Sequence, residues 1–168
     1  MRLVALALVG SVLLSACVAA DEGSRASSAG RTSPTPGESA WTDSAEWQEA
    51  SWGPLAVVPP AEGALEAGPY KGTLRITEEC VFLEDHPNEV LLWHAGRTRW
   101  NGQNRTITIH NLGGSSVTVA DGDHVSMGGG SDHYDSFQEL VEKNEWISAP
   151  SPACQADEIW VVSSLVKD

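Results

Sequence analysis

Apolar and polar residues alternate strictly along several short stretches in the second half of the chain. A period of two residues is typical of a strand that buries one face, so the alternation predicts half-buried antiparallel strands. The apolar positions of these stretches are Leu74 and Ile76, Ile107 and Ile109, Val117 and Val119, and Val125 and Met127. Asn, Asp and Gly residues lie between the stretches and favour reversals, because they adopt positive φ at little cost.

Three further stretches predict strands without relying on strict alternation. Residues 80–83 and 90–93 are continuously apolar, which is typical of interior strands. Residues 158–166 form a last strand that contains Trp160.

One helix is predicted, and it follows three consecutive glycines at 128–130. Its N-cap is expected at Ser131 or Asp132 and its end near Asn144. The apolar stripe of this helix consists of Tyr134, Phe137, Leu140 and Val141. No phosphate-binding GK[ST] sequence follows the glycines, so we expect them to allow a tight bend or close backbone packing.

These elements predict a mainly β fold with one short helix. Two architectures remain open: a small antiparallel barrel with the topology of an oligosaccharide-binding fold, or a small sandwich. About a hundred residues suffice for one core, so 70–168 is expected to be a single domain. Residues 17–39 are rich in Ala, Ser, Gly, Thr and Pro and predict a flexible, disordered tether. Residues 40–69, with Trp41, Trp47 and Trp52, are expected to be partly ordered.

The N-terminus contains a short apolar run after Arg2, and it ends in the residues Leu14, Ser15, Ala16 and Cys17. This tetrad resembles the lipobox of bacterial lipoproteins. The resemblance implies that 1–16 is a signal peptide, that Cys17 carries a diacylglyceryl group, and that the mature chain is lipid-anchored at the extracytoplasmic face of the cell membrane. The alternative is an ordinary secretory signal that is cleaved near Ala16, Ala19 or Ala20.

Cys80 and Cys154 remain as an even pair once Cys17 is set aside. In an exported protein such a pair predicts a disulfide bond. The alternative is two reduced cysteines that are buried as small apolar side chains. No CxxC or CxxH spacing points to a zinc site.

Charge narrows the range of partners. The chain has 23 acidic and 10 basic residues, a net charge of −13, so it repels polyanions and nucleic acid is not an expected partner. It has no polybasic segment for anionic lipids, so membrane attachment is expected through the acyl chains alone. A protein or glycan of the cell envelope is the other expected partner.

A second resemblance involves the strand residues. The segments 80–83, 91–93 and 122–127, with Trp100 and the three glycines, are similar to a group of small secreted or lipid-anchored β-domains of high-GC Gram-positive bacteria. That group is functionally uncharacterised, so the resemblance implies no catalytic residue.

Candidate chemistry is sparse. The tryptophans Trp93, Trp100 and Trp160 are the candidate ligand contacts, with core packing as the alternative. Weak candidates for a metal site are Asp121, Asp123, His124 and Asp132. We expect no catalytic residue and no cofactor. The predicted function is a binding or structural module of the cell envelope, and the alternatives are a cell-wall or glycan hydrolase and a calcium- or zinc-dependent binding module.

Overall fold

A computed structural model describes residues 47–61 and 67–168 of the protein. The predicted signal peptide and tether, Cys17 and Trp41 lie outside the described residues. The strands in the described part are β1 (Ala56–Val58), β2 (Ala67–Ile76), β3 (Val81–Leu83), β4 (Glu89–His94), β5 (Thr98–Asn101), β6 (Thr106–His110), β7 (Ser116–Ala120), β8 (His124–His133) and β9 (Glu158–Lys167). The helix α1 spans Phe137–Lys143, and short 3₁₀ turns span Ala95–Arg97 and Pro152–Cys154.

The larger sheet has six strands in the order β1-β4-β9-β8-β2-β3. Strands β1, β4 and β9 are parallel to one another, whereas β9, β8, β2 and β3 pair antiparallel. The expected antiparallel arrangement therefore holds for β9, β8, β2 and β3 but not for the pairs that β4 makes with β1 and β9. An apolar run records which residues are buried and carries no information on strand direction, which depends on the connections.

The strand β3 also differs from its expectation. It pairs only with β2 and forms the edge of the larger sheet, whereas β4 is an interior strand as predicted. The strand β3 is apolar although it lies at an edge, because other parts of the chain cover it. Its side chains Val81 and Leu83 are buried. An apolar run indicates burial of a strand and does not indicate how many neighbours the strand pairs with.

The smaller sheet is the antiparallel meander β5-β6-β7. Its inward side chains Ile107, Ile109 and Val119 belong to the same core as inward side chains of the larger sheet. The side chain of Asn111 joins the sheets, since it accepts from Leu165 N at 2.8 Å and donates to Leu165 O at 2.8 Å. The arrangement is sandwich-like and confirms the mainly β prediction, and the described strands do not form a closed barrel.

A second core lies on the other face of the larger sheet, under α1. Leu140 of the helix and Tyr134 pack there with side chains of β4 and β9, including Leu92 and Ile159. Ala56 of β1 belongs to the same cluster, while Val57 points into the first core. Ordered packing therefore begins before Tyr70, within the tryptophan-containing segment 40–69.

The helix begins later than predicted. Its N-cap is Ser136, whose side chain accepts a hydrogen bond from Glu139 N at 3.2 Å, instead of Ser131 or Asp132. Both of those residues lie in β8, which continues through the glycines to His133. The end at Asn144 is as predicted. Pairing of β8 with the long partner β9 extends the strand beyond the glycines, an effect that local residue preferences do not reveal.

The glycines allow close packing of β8 against β9. The register between the two strands shifts between Gly128 and Gly129, which marks a bulge. A Cβ built on Gly129 would overlap the carbonyl oxygen of Val161 and would lie 2.7 Å from Trp160 Nε1. The backbone of β9 occupies the space of a side chain at this position.

Replacement of Gly129 by alanine is expected to lower the free energy of unfolding by at least about 2 kcal/mol, because the obstructing atom belongs to the backbone and cannot rotate away. Urea denaturation of Gly129→Ala and of the wild type measures this difference. Gly113→Ala is the matched control, since a Cβ at Gly113 meets nothing within 4 Å. Equal stability of the two variants would contradict the close packing.

No helix in the described ranges is long and apolar enough to span a bilayer.

Candidate functional site

The candidate site is a cavity of about 320 Å³ between β3 and β4. These strands lie close together but do not pair. The loop 84–88 connects them. The walls come from Cys80 and β3 on one side, from the first residues of β4 on another, and from the 3₁₀ turn Pro152–Cys154 with the following Ala156 on the third.

The Cys80–Cys154 disulfide joins two of these walls. The bond confirms the predicted pairing, and the two Cα atoms are 5.6 Å apart. Thr77 orients Cys80, because Thr77 Oγ1 accepts from Cys80 N at 2.8 Å. Ser151 caps the 3₁₀ turn through Ala153 N and donates to Glu79 Oε2 at 2.6 Å. The cavity therefore lies against a covalently tied corner of the fold.

Glu89 is the unusual residue of the lining. It begins β4, is only 6% exposed, and lines the cavity among apolar side chains. Its Oε2 accepts a hydrogen bond from the hydroxyl of Tyr70 on β2. The Tyr70 ring stacks on Trp160 with centroids 4.3 Å apart, and its centroid is 4.6 Å from that of His86. Tyr70 thus fixes one oxygen of a buried carboxyl group.

The pKa of Glu89 is raised above the ordinary value of a glutamate. Burial is the main cause, since the charged form loses hydration, and the nearby carboxylate of Glu158 acts in the same direction. The hydrogen bond from Tyr70 and the charge of His86 oppose this shift. The pKa of Tyr70 is also raised, through burial and through its contact with Glu89.

None of the predicted ligand-contact tryptophans lines this cavity. Trp93 is fully buried in the core between the sheets, and Trp160 is buried against Tyr70. Trp100 is half-buried and packs against that same core, close to Gly53. Trp93 and Trp160 are thus core side chains, as in the alternative interpretation, and Trp100 lies at the margin of the core.

The weak metal candidates do not form a group of metal ligands. Asp121 accepts from Ile76 N at 2.8 Å, and Asp123 pairs with Lys167 Nζ at 2.7 Å. His124 contacts Thr73 Oγ1, while Asp132 lies at the opposite end of β8. A search of 47–61 and 67–168 finds no group of three or more His, Cys, Asp or Glu side chains that could hold a metal ion.

Comparisons of the chain with models of protein families, with curated proteins and with solved structures found no match. A functional assignment therefore depends on the residues of the cavity and on the sequence.

Sequence reasoning missed Glu89 and its partner Tyr70. The one feature of the sequence that could have pointed to Glu89 is its position as a single acidic residue directly before the apolar run 90–93. A charged residue at the end of an apolar stretch usually lies at the surface, so the position of Glu89 did not indicate that its side chain is buried. Burial of Glu89 results from its long-range contact with Tyr70, which is 19 positions away.

Proposed function

We propose that the protein is a lipid-anchored binding module of the extracytoplasmic cell envelope, and that the cavity between β3 and β4 is its binding site. One observation supports this most directly: the Cys80–Cys154 disulfide forms part of the cavity wall. Disulfide bonds persist in oxidising compartments and are rare in the cytosol, so this bond favours an exported protein.

The anchor is expected at Cys17, which lies outside the described residues. Each buried CH₂ group contributes about 0.8 kcal/mol, and one acyl chain alone binds membranes reversibly. A diacylglyceryl cysteine provides two chains at one residue. Stable attachment then requires no contact between the folded domain and the bilayer.

The dimensions of the cavity also favour binding. Its volume of about 320 Å³ lies near the lower end of the range for small-molecule sites, roughly 300–1,000 Å³. Most of its lining is apolar, with a small number of polar groups, as is typical of such sites. Among the described residues that line it there is no serine, no histidine and no free cysteine for covalent catalysis.

The second candidate function is a glycan hydrolase, which one observation favours: Glu79 and Glu89 line the same cavity. A glycosidase needs one carboxyl group that protonates the leaving group and a second that acts on the opposite side of the bond. We rank this function lower because Ser151 already holds the Glu79 carboxylate and a cleft for two sugar rings would have to be larger. Release of reducing ends from purified peptidoglycan, abolished in Glu89→Gln, would reverse this ranking.

Intact-mass analysis of the protein from the membrane fraction tests the anchored, oxidised state. The expected mature chain begins at Cys17, carries the mass of a diacylglyceryl group, and lacks two hydrogen atoms because of the disulfide. Cys17→Ser should release the protein into the soluble fraction, whereas Ser27→Ala, a substitution in the predicted tether, should leave it in the membrane. A mature chain that begins at another residue would contradict the proposal.

A further inference from the structure

We propose that the cavity between β3 and β4 binds a small organic cation, an ammonium group on a short apolar body, with Glu89 Oε1 as its acceptor. This inference rests on the proposed binding function and names its ligand class.

Glu89 has one oxygen that the described residues leave unused. Tyr70 donates to Oε2, and no hydrogen bond to Oε1 is found within 47–61 and 67–168. Oε1 is not among the buried polar atoms of these residues that lack a partner, so it is accessible from the cavity that Glu89 lines. Because Glu89 lines the cavity, a donor that enters the cavity can satisfy this oxygen.

The charge of the cavity lining favours a cation. Among the described residues that line the cavity, the carboxylic acids are Glu79 and Glu89, and there is no Lys, Arg or His. A buried carboxylate is normally paired with a cation; the described lining provides none for Glu89, and the nearby His86 lies outside it. The net charge of −13 acts in the same direction and disfavours anionic ligands. An ammonium ligand would add a counter-charge within the cavity and would favour the ionised form of Glu89.

The rest of the wall is apolar. Phe82 and Val90 and the disulfide give the cavity an apolar surface beside the carboxyl group. Such a wall fits a compact apolar body attached to the charged group. The aromatic ring of Phe82 adds a favourable contact for a cation that lies over its face.

The rival ligand is a neutral molecule whose hydroxyl or amide group donates to Glu89. The two ligand classes differ in charge and can be compared at constant size. Benzylammonium and benzyl alcohol have the same number of non-hydrogen atoms and the same ring, so their relative affinity isolates the contribution of charge.

The experiment uses the full chain with its disulfide intact, purified in a nonionic maltoside detergent. Titration with each probe is followed by calorimetry and by chemical shifts of the backbone amides of β3 and β4. We expect saturable binding of benzylammonium that is at least about 10-fold tighter than that of benzyl alcohol, as a charge-assisted hydrogen bond provides.

Glu89→Gln is the decisive variant, because glutamine keeps the shape of glutamate and an acceptor for Tyr70 but removes the charge. It should weaken benzylammonium binding by at least about 10-fold and leave benzyl alcohol binding unchanged. Glu145→Gln makes the same change at an exposed residue that does not line the cavity, and it should bind both probes like the wild type. Thermal unfolding of each variant verifies that it is folded.

Several outcomes would overturn the cation inference. Equal affinity for the two probes, or a Glu89→Gln variant that still prefers benzylammonium, would show that charge recognition does not occur at Glu89. Saturable binding of benzyl alcohol alone would overturn the cation and leave the proposed binding function standing. Absence of saturable binding by either probe would overturn both the cation and the cavity as a binding site, whereas the lipid anchor is decided separately by the mass of the mature chain.

Discussion

Replacement of Cys80 and Cys154 together by alanine is expected to lower the free energy of unfolding by about 4 kcal/mol. The two residues are 74 positions apart, so the bond closes a long loop and strongly restricts the unfolded chain. In the chain-entropy model this restriction is the main source of stabilisation. A loss of this size is a large share of the total stability of a small domain.

Differential scanning calorimetry of the double variant measures the effect, and the expected decrease in Tm is on the order of 10–20 °C. Dithiothreitol should lower the Tm of the wild type by a similar amount and leave that of the double variant unchanged. A wild-type Tm that does not respond to full reduction would show that the bond contributes little.

Replacement of Trp93 by alanine is expected to cost about 3–5 kcal/mol, the range for a large aromatic side chain in a packed core. The side chain is 0% exposed and belongs to the core between the sheets. Its strand β4 lies between β1 and β9, and Trp93 itself is in register with Val57 of β1. The cavity left by the substitution would therefore lie where β1, β4 and the smaller sheet meet.

Chemical denaturation of Trp93→Ala compares directly with that of Leu112→Ala. Leu112 is 58% exposed, and its truncation is expected to change the stability by no more than about 0.5 kcal/mol. A Trp93→Ala variant as stable as Leu112→Ala would mean that Trp93 is free to leave the core, which would restore it as a ligand-contact candidate.

The disulfide belongs to a wider feature of the larger sheet, the approach of its edge strand to β4. The six-stranded sheet curls until its edge strand β3 approaches β4, and the two strands remain unpaired. The cavity occupies this gap, and the Cys80–Cys154 disulfide joins two of its walls, the residue before β3 and the 3₁₀ turn Pro152–Cys154. Covering an unpaired edge is a general requirement of sheets, because exposed edges promote aggregation. The 3₁₀ turn that the disulfide ties to Cys80 lies beside this edge, next to the cavity.

The candidate site was less predictable than the fold. The two cysteines were found from their number and from the lipobox-like tetrad at Cys17, since a pair in an exported chain predicts a bond. Glu89 was not found, because its role depends on Tyr70 and on burial. The three tryptophans illustrate the reverse case: residue type suggested a binding surface, and packing placed Trp93 and Trp160 in the core.

By itself, the sequence determined seven of the nine described strands, that the fold is mainly β, and where the helix ends; the strands β1 and β5 were not predicted. These properties follow from local patterns, since alternation and apolar runs record burial residue by residue. Only the tertiary structure decided that β4 lies parallel to β9, that β8 continues through the glycines, and that β3 is an edge beside a cavity. Each of these results depends on contacts between residues far apart in the chain, and such contacts override local preferences because they bury more surface than any single turn does.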